Sequence, residues 1–190
     1  MTSSVVARGT GIIVLIGLAI MIVARGLTPS PGGLLAFVHL IDLVFHEAGH
    51  VIFGFFGRFL GVLGGSLNQV LIPAVCTGYF LWHGQFASAA VTLFWTGENL
   101  ADVAIYVADG RDMALPLLAE GLTHDWNWIL SELSLRNQAL PLGRAVFAVA
   151  VIVLASAIVL LAIDMWRAPR GRASAGVLSS EGPARDRKLP

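Results

Sequence analysis

The residues best suited to chemistry are His46, Glu47 and His50, which form the motif His46-Glu47-Ala48-Gly49-His50 inside an apolar segment. Two histidines four residues apart project from one face of a helix, so both imidazoles can hold one metal ion. Glu47 is rotated by about 100° from His46, which places its carboxylate beside that ion rather than on it. The motif therefore predicts a Zn²⁺ site in which Glu47 is the general base that takes a proton from a metal-activated water.

The apolar surroundings of the motif favour metal binding over a chance match. In soluble proteins such a five-residue pattern also occurs without metal. Here one carboxylate and two imidazoles lie within a segment that is otherwise apolar, where ionisable side chains are costly and usually mark function. We therefore expect His46 and His50 to be metal ligands.

A catalytic zinc generally takes three protein ligands, so a third must come from elsewhere in the chain. Glu98, Asp102, Tyr106 and Asp109 are spaced four, four and three, and form a polar stripe on one helical face. We expect Glu98 to be the third ligand, with Asp102 one turn later hydrogen-bonded to a ligand histidine. The alternative is that the stripe satisfies other polar side chains structurally, namely Asn68, Gln69 or Arg58.

Two further clusters are candidates for the site. His124 and Asp125 are adjacent, and either residue, like Asp109 and His83, is an alternative metal ligand. His124 is also a candidate catalytic residue that stabilises an oxyanion, whereas Asp125 alternatively caps a short helix that starts at Trp126. Asn68 and Gln69 are candidates for holding a substrate backbone, or for capping neighbouring helix ends.

The composition indicates a membrane protein. Of the 190 residues, 56% are hydrophobic and 13% are charged, compared with about a quarter charged in soluble domains. Ala145–Ile163 is a run of nineteen residues in which only Ser156 is polar, which is close to the length that crosses a bilayer as a helix. Cys76 is the one cysteine, so the chain forms no internal disulfide and no thiolate metal cluster.

The apolar segments predict an all-α membrane protein, a bundle of four to five transmembrane helices in one domain over residues 1–166. Gly61–Gly65 is expected to break the second apolar segment. Residues 61–82 then either span poorly or form a re-entrant segment that enters and leaves on one side, because Asn68, Gln69, Pro73 and Gly78 interrupt them.

The charge distribution predicts an orientation. Residues 167–190 form a basic tail without apolar groups to pack, which is expected to be disordered and cytoplasmic, with the acidic stretch 109–140 external. The expected location is the cell membrane, and the expected partners are membrane lipids and a membrane-protein or peptide substrate. No nucleic-acid motif is present, and the sequence does not indicate an oligomeric state.

The motif, followed by Gly57-Arg58-Phe59-Leu60-Gly61-Val62, resembles the first signature of the site-2 protease family of intramembrane metalloproteases. The resemblance covers residues 38–65 and implies a zinc peptidase that cleaves membrane-embedded or membrane-proximal substrates. The alternatives are a membrane zinc hydrolase that acts on a lipid amide or ester, and a membrane protein that binds or transports a metal ion without catalysis. The family's second signature, an aspartate in an Asn-Pro-Asp-Gly or Leu-Asp-Gly context, is not matched, and Ala108-Asp109-Gly110 is the nearest sequence. Glu98 and Asp102 are similar instead to the Glu-x-x-x-Asp signature of thermolysin-like zinc peptidases, in which the glutamate is a ligand.

Overall fold

The computed structural model describes residues 3–29, 32–116 and 123–168, and these form helices without strands. The bounds of the helices are α1 (Ser3–Arg25), α2 (Gly33–Gly54), α3 (Arg58–Trp82), α4 (Phe86–Asp109), α5 (Asp125–Glu132) and α6 (Ala139–Arg167), with a short 3-10 turn at Arg136–Gln138 before α6. Of the predicted tail 167–190, residues 169–190 lie outside the described ranges.

Arg167 ends α6 and Ala168 follows it, so the structure does not test the prediction for the rest of the tail.

The predicted class, an all-α membrane bundle, is confirmed. Within the described residues, four segments are long and apolar enough to cross a membrane: Val5–Arg25, Gly33–Gly54, Arg58–Trp82 and Arg136–Arg167. Their outer faces carry large apolar side chains that the bundle leaves exposed, such as Ile13, Val44, Val51 and Ile152. Such a surface is unfavourable in water and suits the hydrocarbon core of a bilayer.

Helix α4 is the central helix of the bundle and packs against both α3 and α6. Small residues make the contact with α6 close: a Cβ added at Gly97 would lie 2.9 Å from Leu154 Cγ, and one at Gly143 would lie 2.6 Å from Ala108 Cβ. Close approach at small residues is the usual way in which membrane helices associate. Three polar residues of α4, Thr96, Glu98 and Asn99, are buried.

Helices α2 and α3 pack against each other along a second set of small residues. A Cβ at Gly64 would lie 2.6 Å from the Gly49 carbonyl oxygen, and one at Gly61 would lie 3.1 Å from Gly54 Cα. The expected helix break at Gly61–Gly65 is therefore wrong, because α3 runs without interruption from Arg58 to Trp82 and includes Pro73. These glycines allow α3 to lie directly against the motif helix, and this packing outweighs their low helix propensity.

Helix α5 is fixed at the end of α4 by side-chain hydrogen bonds. Trp126 Nε1 donates to Ser66 Oγ at 3.0 Å, and Asn127 Nδ2 donates to the Gly110 carbonyl at 2.8 Å. The predicted short helix is present, but it begins at Asp125 rather than Trp126. Its N-cap is His124 rather than Asp125, since His124 Nδ1 accepts the Asn127 N–H. Asp125 is thereby free to point away from the cap.

Candidate metal site

Three side chains from two helices converge on one point. His46 and His50 of α2 and Asp125 of α5 each place one ligand-type atom within 4.8 Å of the others. Asp125 Oδ2 lies 3.0 Å from His46 Nε2 and 3.3 Å from His50 Nε2. Among the described residues, this is the group of three whose donor atoms have the spacing of a metal site.

The opposite nitrogen of each histidine is held by an acceptor. His50 Nδ1 donates to the Gly61 carbonyl oxygen at 2.8 Å, and His46 Nδ1 donates to Gln69 Oε1 at 2.8 Å. A carbonyl oxygen only accepts hydrogen bonds, so each Nδ1 carries the proton. Each Nε2 is then the nitrogen left to bind a metal, and both Nε2 atoms face Asp125.

The orientation of the Gln69 amide is fixed by its second contact. Gln69 Nε2 donates to Asp102 Oδ2 at 3.3 Å, and His39 Nδ1 lies 3.0 Å from both oxygens of the same carboxylate. A chain of polar contacts therefore runs from His39 through Asp102 and Gln69 to His46. Outer contacts of this kind orient ligand histidines and strengthen their binding to a metal.

Asp125 is positioned by Tyr106 and by the histidines. Its backbone N–H donates to the Tyr106 hydroxyl at 3.0 Å, and the Tyr106 ring lies against those of His46 and His124. Burial alone would raise the pKa of the Asp125 carboxyl, but its contacts with His46 and His50 hold the pKa below its usual value. The imidazoles lower this pKa when their Nε2 atoms carry a proton, and a cation bound between them would favour the ionised carboxyl in the same way.

Gly65 provides the space in which these groups meet. A Cβ at this position would lie 2.6 Å from His46 Cδ2 and 2.7 Å from His50 Nε2. Any other residue would place its side chain against both imidazole rings, close to the Nε2 atoms that would hold a metal. Gly65 was not a sequence-based candidate, although Gly57, Gly61 and Gly65 recur every four residues, which is the small-residue spacing typical of close membrane helices.

A cavity of about 790 Å³ adjoins the three side chains. Its wall includes the two histidines, Asp125, Tyr106 and Glu47, with apolar positions such as Leu40 and Val103 further along. Glu47 is exposed, and its carboxylate acts electrostatically on His50 and Tyr106. The predicted general base thus lines the same cavity as the two predicted histidine ligands.

The structure does not bring Glu98 to the histidines. Glu98 is 4% exposed, and its carboxyl group lies beside that of Asp42, one turn before His46 on α2. Asp125, which the sequence offered only as an alternative, occupies the place expected for the third ligand. Asp102 contacts Gln69 and His39, so it reaches His46 through Gln69 and not by the direct hydrogen bond that was expected.

His124 and Asp109 form a structural pair below α5. His124 Nε2 lies 3.0 Å from Asp109 Oδ2, and Nδ1 accepts the Asn127 N–H, so both ring nitrogens are engaged. Asp109 also accepts the backbone N–H groups of Ala114 and Leu115. The expected catalytic role of His124 has no free ring nitrogen to support it, and Asp109 binds the backbone that follows α4 rather than the two histidines of the motif.

The candidate substrate-binding amides have structural contacts as well. Asn68 Nδ2 donates to the Phe45 carbonyl at 2.7 Å and ties α3 to α2. Both ends of the Gln69 amide are engaged by His46 and Asp102. His83 lies at the other end of α3, where Nδ1 donates to the Tyr79 carbonyl at 2.8 Å. These contacts assign Asn68 and His83 to packing, and Gln69 to the orientation of His46.

Comparisons with known proteins give no similar site. No protein-family model matches the chain. No curated protein and no solved structure is significantly similar to it.

Proposed function

We propose that the protein is a zinc-dependent membrane peptidase whose metal ligands are His46, His50 and Asp125. Two imidazoles and one carboxylate are a usual ligand set for a catalytic zinc, which keeps one coordination position open. The three donors come from rigid helices, and the Nδ1 contacts of both histidines orient them. This donor set fits zinc in both type and number.

The observation that carries the proposal is the convergence of two Nε2 atoms on Asp125 Oδ2. With Nδ1 protonated on each ring, Nε2 presents a lone pair unless it takes a second proton. Lone pairs that face a carboxylate oxygen at 3.0 and 3.3 Å repel it, and a cation between them removes that repulsion. A metal ion satisfies all three atoms together without a second proton on either ring.

When bound there, zinc would acidify water and polarise a carbonyl group. Glu47 follows His46 directly on α2 and lines the cavity without being part of the ligand group. Its carboxylate would accept the proton of the attacking water and return it to the leaving amine. Tyr106, which holds the backbone of Asp125, fixes the carboxylate against the histidines.

The cavity and the membrane helices suggest the class of substrate. The cavity wall combines the polar groups of the site with apolar residues of α2 and α4, as a site for an apolar peptide would. The resemblance of the motif to the site-2 protease family points to the same class. We infer that the substrate is a membrane-embedded or membrane-proximal peptide segment, and that the protein acts in the cell membrane with its basic tail in the cytoplasm.

A substrate-class assay tests the proposal. Purified zinc-loaded protein in detergent or vesicles would be offered apolar peptides, a membrane protein, and lipid esters or amides. The matched control is Glu47→Gln, which keeps the side-chain volume and should retain zinc while losing at least about 10²-fold in hydrolysis. Peptide hydrolysis that depends on Glu47 supports the proposal. Hydrolysis of lipids alone, or hydrolysis that Glu47→Gln leaves unchanged, contradicts it.

A further inference from the structure

A second cluster of buried polar side chains lies where α2 faces α4, outside the candidate zinc site. It consists of Asp42, Glu98 and Asn99, which are 1%, 4% and 0% exposed. The Asp42 and Glu98 carboxyl groups lie within hydrogen-bonding reach of each other. Asn99 Nδ2 donates to Asp42 Oδ1 at 3.1 Å, and Trp95 Nε1 donates to the same oxygen at 2.8 Å. We call these three residues the carboxyl cluster.

Four oxygen atoms of the carboxyl cluster have no hydrogen-bond partner among the described residues. They are Asp42 Oδ2, Glu98 Oε1, Glu98 Oε2 and Asn99 Oδ1. The Asn99 amide cannot be turned to supply a donor, because its Nδ2 is already held by two acceptors, Asp42 Oδ1 and the Trp95 carbonyl. Buried acceptors without donors are costly, and buried charges are normally paired. The four oxygens therefore require an electropositive partner.

The surrounding charges show how large that partner's charge must be. Asp102, the next acid along α4, is paired with His39, whose Nδ1 contacts both of its carboxylate oxygens. Arg25 of α1 acts electrostatically on Glu98, but its Nε and Nη2 have no hydrogen-bond partner among the described residues. One guanidinium charge near Glu98 thus stands against the two carboxylates of the cluster. One additional positive charge neutralises the cluster.

We propose that the carboxyl cluster binds one monovalent metal cation of the Na⁺ class. Its donors are all oxygen atoms, which hard cations prefer, and it contains no imidazole or thiolate that would favour a transition metal. A divalent ion would exceed the charge required once Arg25 is counted. A single proton shared between the carboxyl groups would serve two of the four oxygens and leave the other two unsatisfied.

A cation in the carboxyl cluster would join two helices that otherwise meet little. Helix α2 packs mainly against α3, and its direct contact with α4 is small. Asp42 belongs to α2, whereas Glu98 and Asn99 belong to α4. Bound Na⁺ would therefore stabilise the position of α2, one turn from His46. This inference does not depend on zinc binding or on peptidase activity.

Sodium binding to the full chain in detergent tests the inference. The protein would be exchanged into choline chloride, and radioactive Na⁺ binding and Tm would be measured as NaCl replaces choline chloride at constant ionic strength. We expect saturable binding of about one Na⁺ per chain, and a rise in Tm of about 5–10 °C when Na⁺ is at roughly 100 times its Kd. Absence of saturable binding, with the same Tm in both salts, would mean that a shared proton or Arg25 satisfies the carboxyl groups, and the inference would be wrong.

Two variants locate the ion. Glu98→Gln removes one charge at nearly constant volume and should abolish Na⁺ binding and the effect of Na⁺ on Tm, while zinc content stays at the parent level. The matched control is Glu132→Gln, the same change at an exposed position of α5, which should leave Na⁺ binding unchanged. Na⁺ binding at parent affinity in Glu98→Gln would place the ion elsewhere and overturn the assignment. Zinc binding and peptide hydrolysis are separate measurements, so failure of either proposal is recognised independently.

Discussion

His46 Nε2 lies 3.0 Å from Asp125 Oδ2, a residue 79 positions later in the chain. The contact joins the motif helix α2 to the short helix α5, and His50 Nε2 lies 3.3 Å from the same oxygen. Two neutral imidazoles arranged in this way repel the carboxylate, whereas a metal ion attracts all three. This relationship is the basis of the proposed zinc site.

The space at Gly65 gives the first prediction. Gly65→Ala places a methyl group against both imidazoles, so we expect zinc affinity to fall by at least about 10-fold, the lower end of what a disturbed ligand shell costs. Gly78→Ala is the matched control, because it makes the same change on α3 where nothing lies within 4 Å. Zinc affinity would be measured by competition with a chelator, and Tm would show that both variants fold. Equal affinity in Gly65→Ala and the parent would contradict the geometry.

The hydrogen bond from His46 to Gln69 gives the second prediction. Gln69→Leu replaces the amide by an apolar side chain of similar size and removes the acceptor for His46 Nδ1–H, so zinc affinity should fall by about 10–100-fold. Gln69→Glu keeps an acceptor at this position and should bind zinc more tightly than Gln69→Leu does. If the parent, Gln69→Leu and Gln69→Glu bind zinc with the same affinity, Gln69 does not orient His46.

The arginines after α6 give the third prediction, which concerns orientation. Helix α6 separates α5 from the basic tail, so a cytoplasmic tail places the candidate metal site toward the external face. In a Cys76→Ser background, a cysteine at the exposed position Glu132 should react with an impermeant thiol reagent added outside intact cells. Labelling only after the cells are opened would reverse the proposed orientation.

The local part of the site could be predicted from the sequence because helical geometry determines it. Four-residue spacing places His46 and His50 on one face, whatever the rest of the fold does. The same rule placed Glu98 and Asp109 on one face of α4, but eleven residues span about 16 Å along a helix. One ion cannot contact both, and the structure gives each carboxyl a separate environment, beside Asp42 and His124 respectively.

The remaining part of the site depends on contacts between distant segments. Nothing in the residues around Asp125 indicates that α5 docks on Ser66 and Gly110, yet those contacts bring its carboxylate to the histidines. The glycines of α3 were interpreted as a helix break because glycine is unfavourable in isolated helices. In this bundle they allow α2 and α3 to approach closely, a gain that only the tertiary structure reveals.

Zinc content of the purified chain and of two acid-to-amide variants tests the central claim most directly. The account predicts about one zinc per chain in the parent, loss of zinc in Asp125→Asn as in His46→Ala and His50→Ala, and retention of zinc in Glu98→Gln. Asp125→Asn and Glu98→Gln each remove one buried carboxylate. They differ in one respect, because the Asp125 carboxylate faces the histidines and the Glu98 carboxylate does not. Full zinc occupancy in Asp125→Asn at the parent's affinity, or loss of zinc in Glu98→Gln alone, would contradict the assignment of Asp125 as the third ligand.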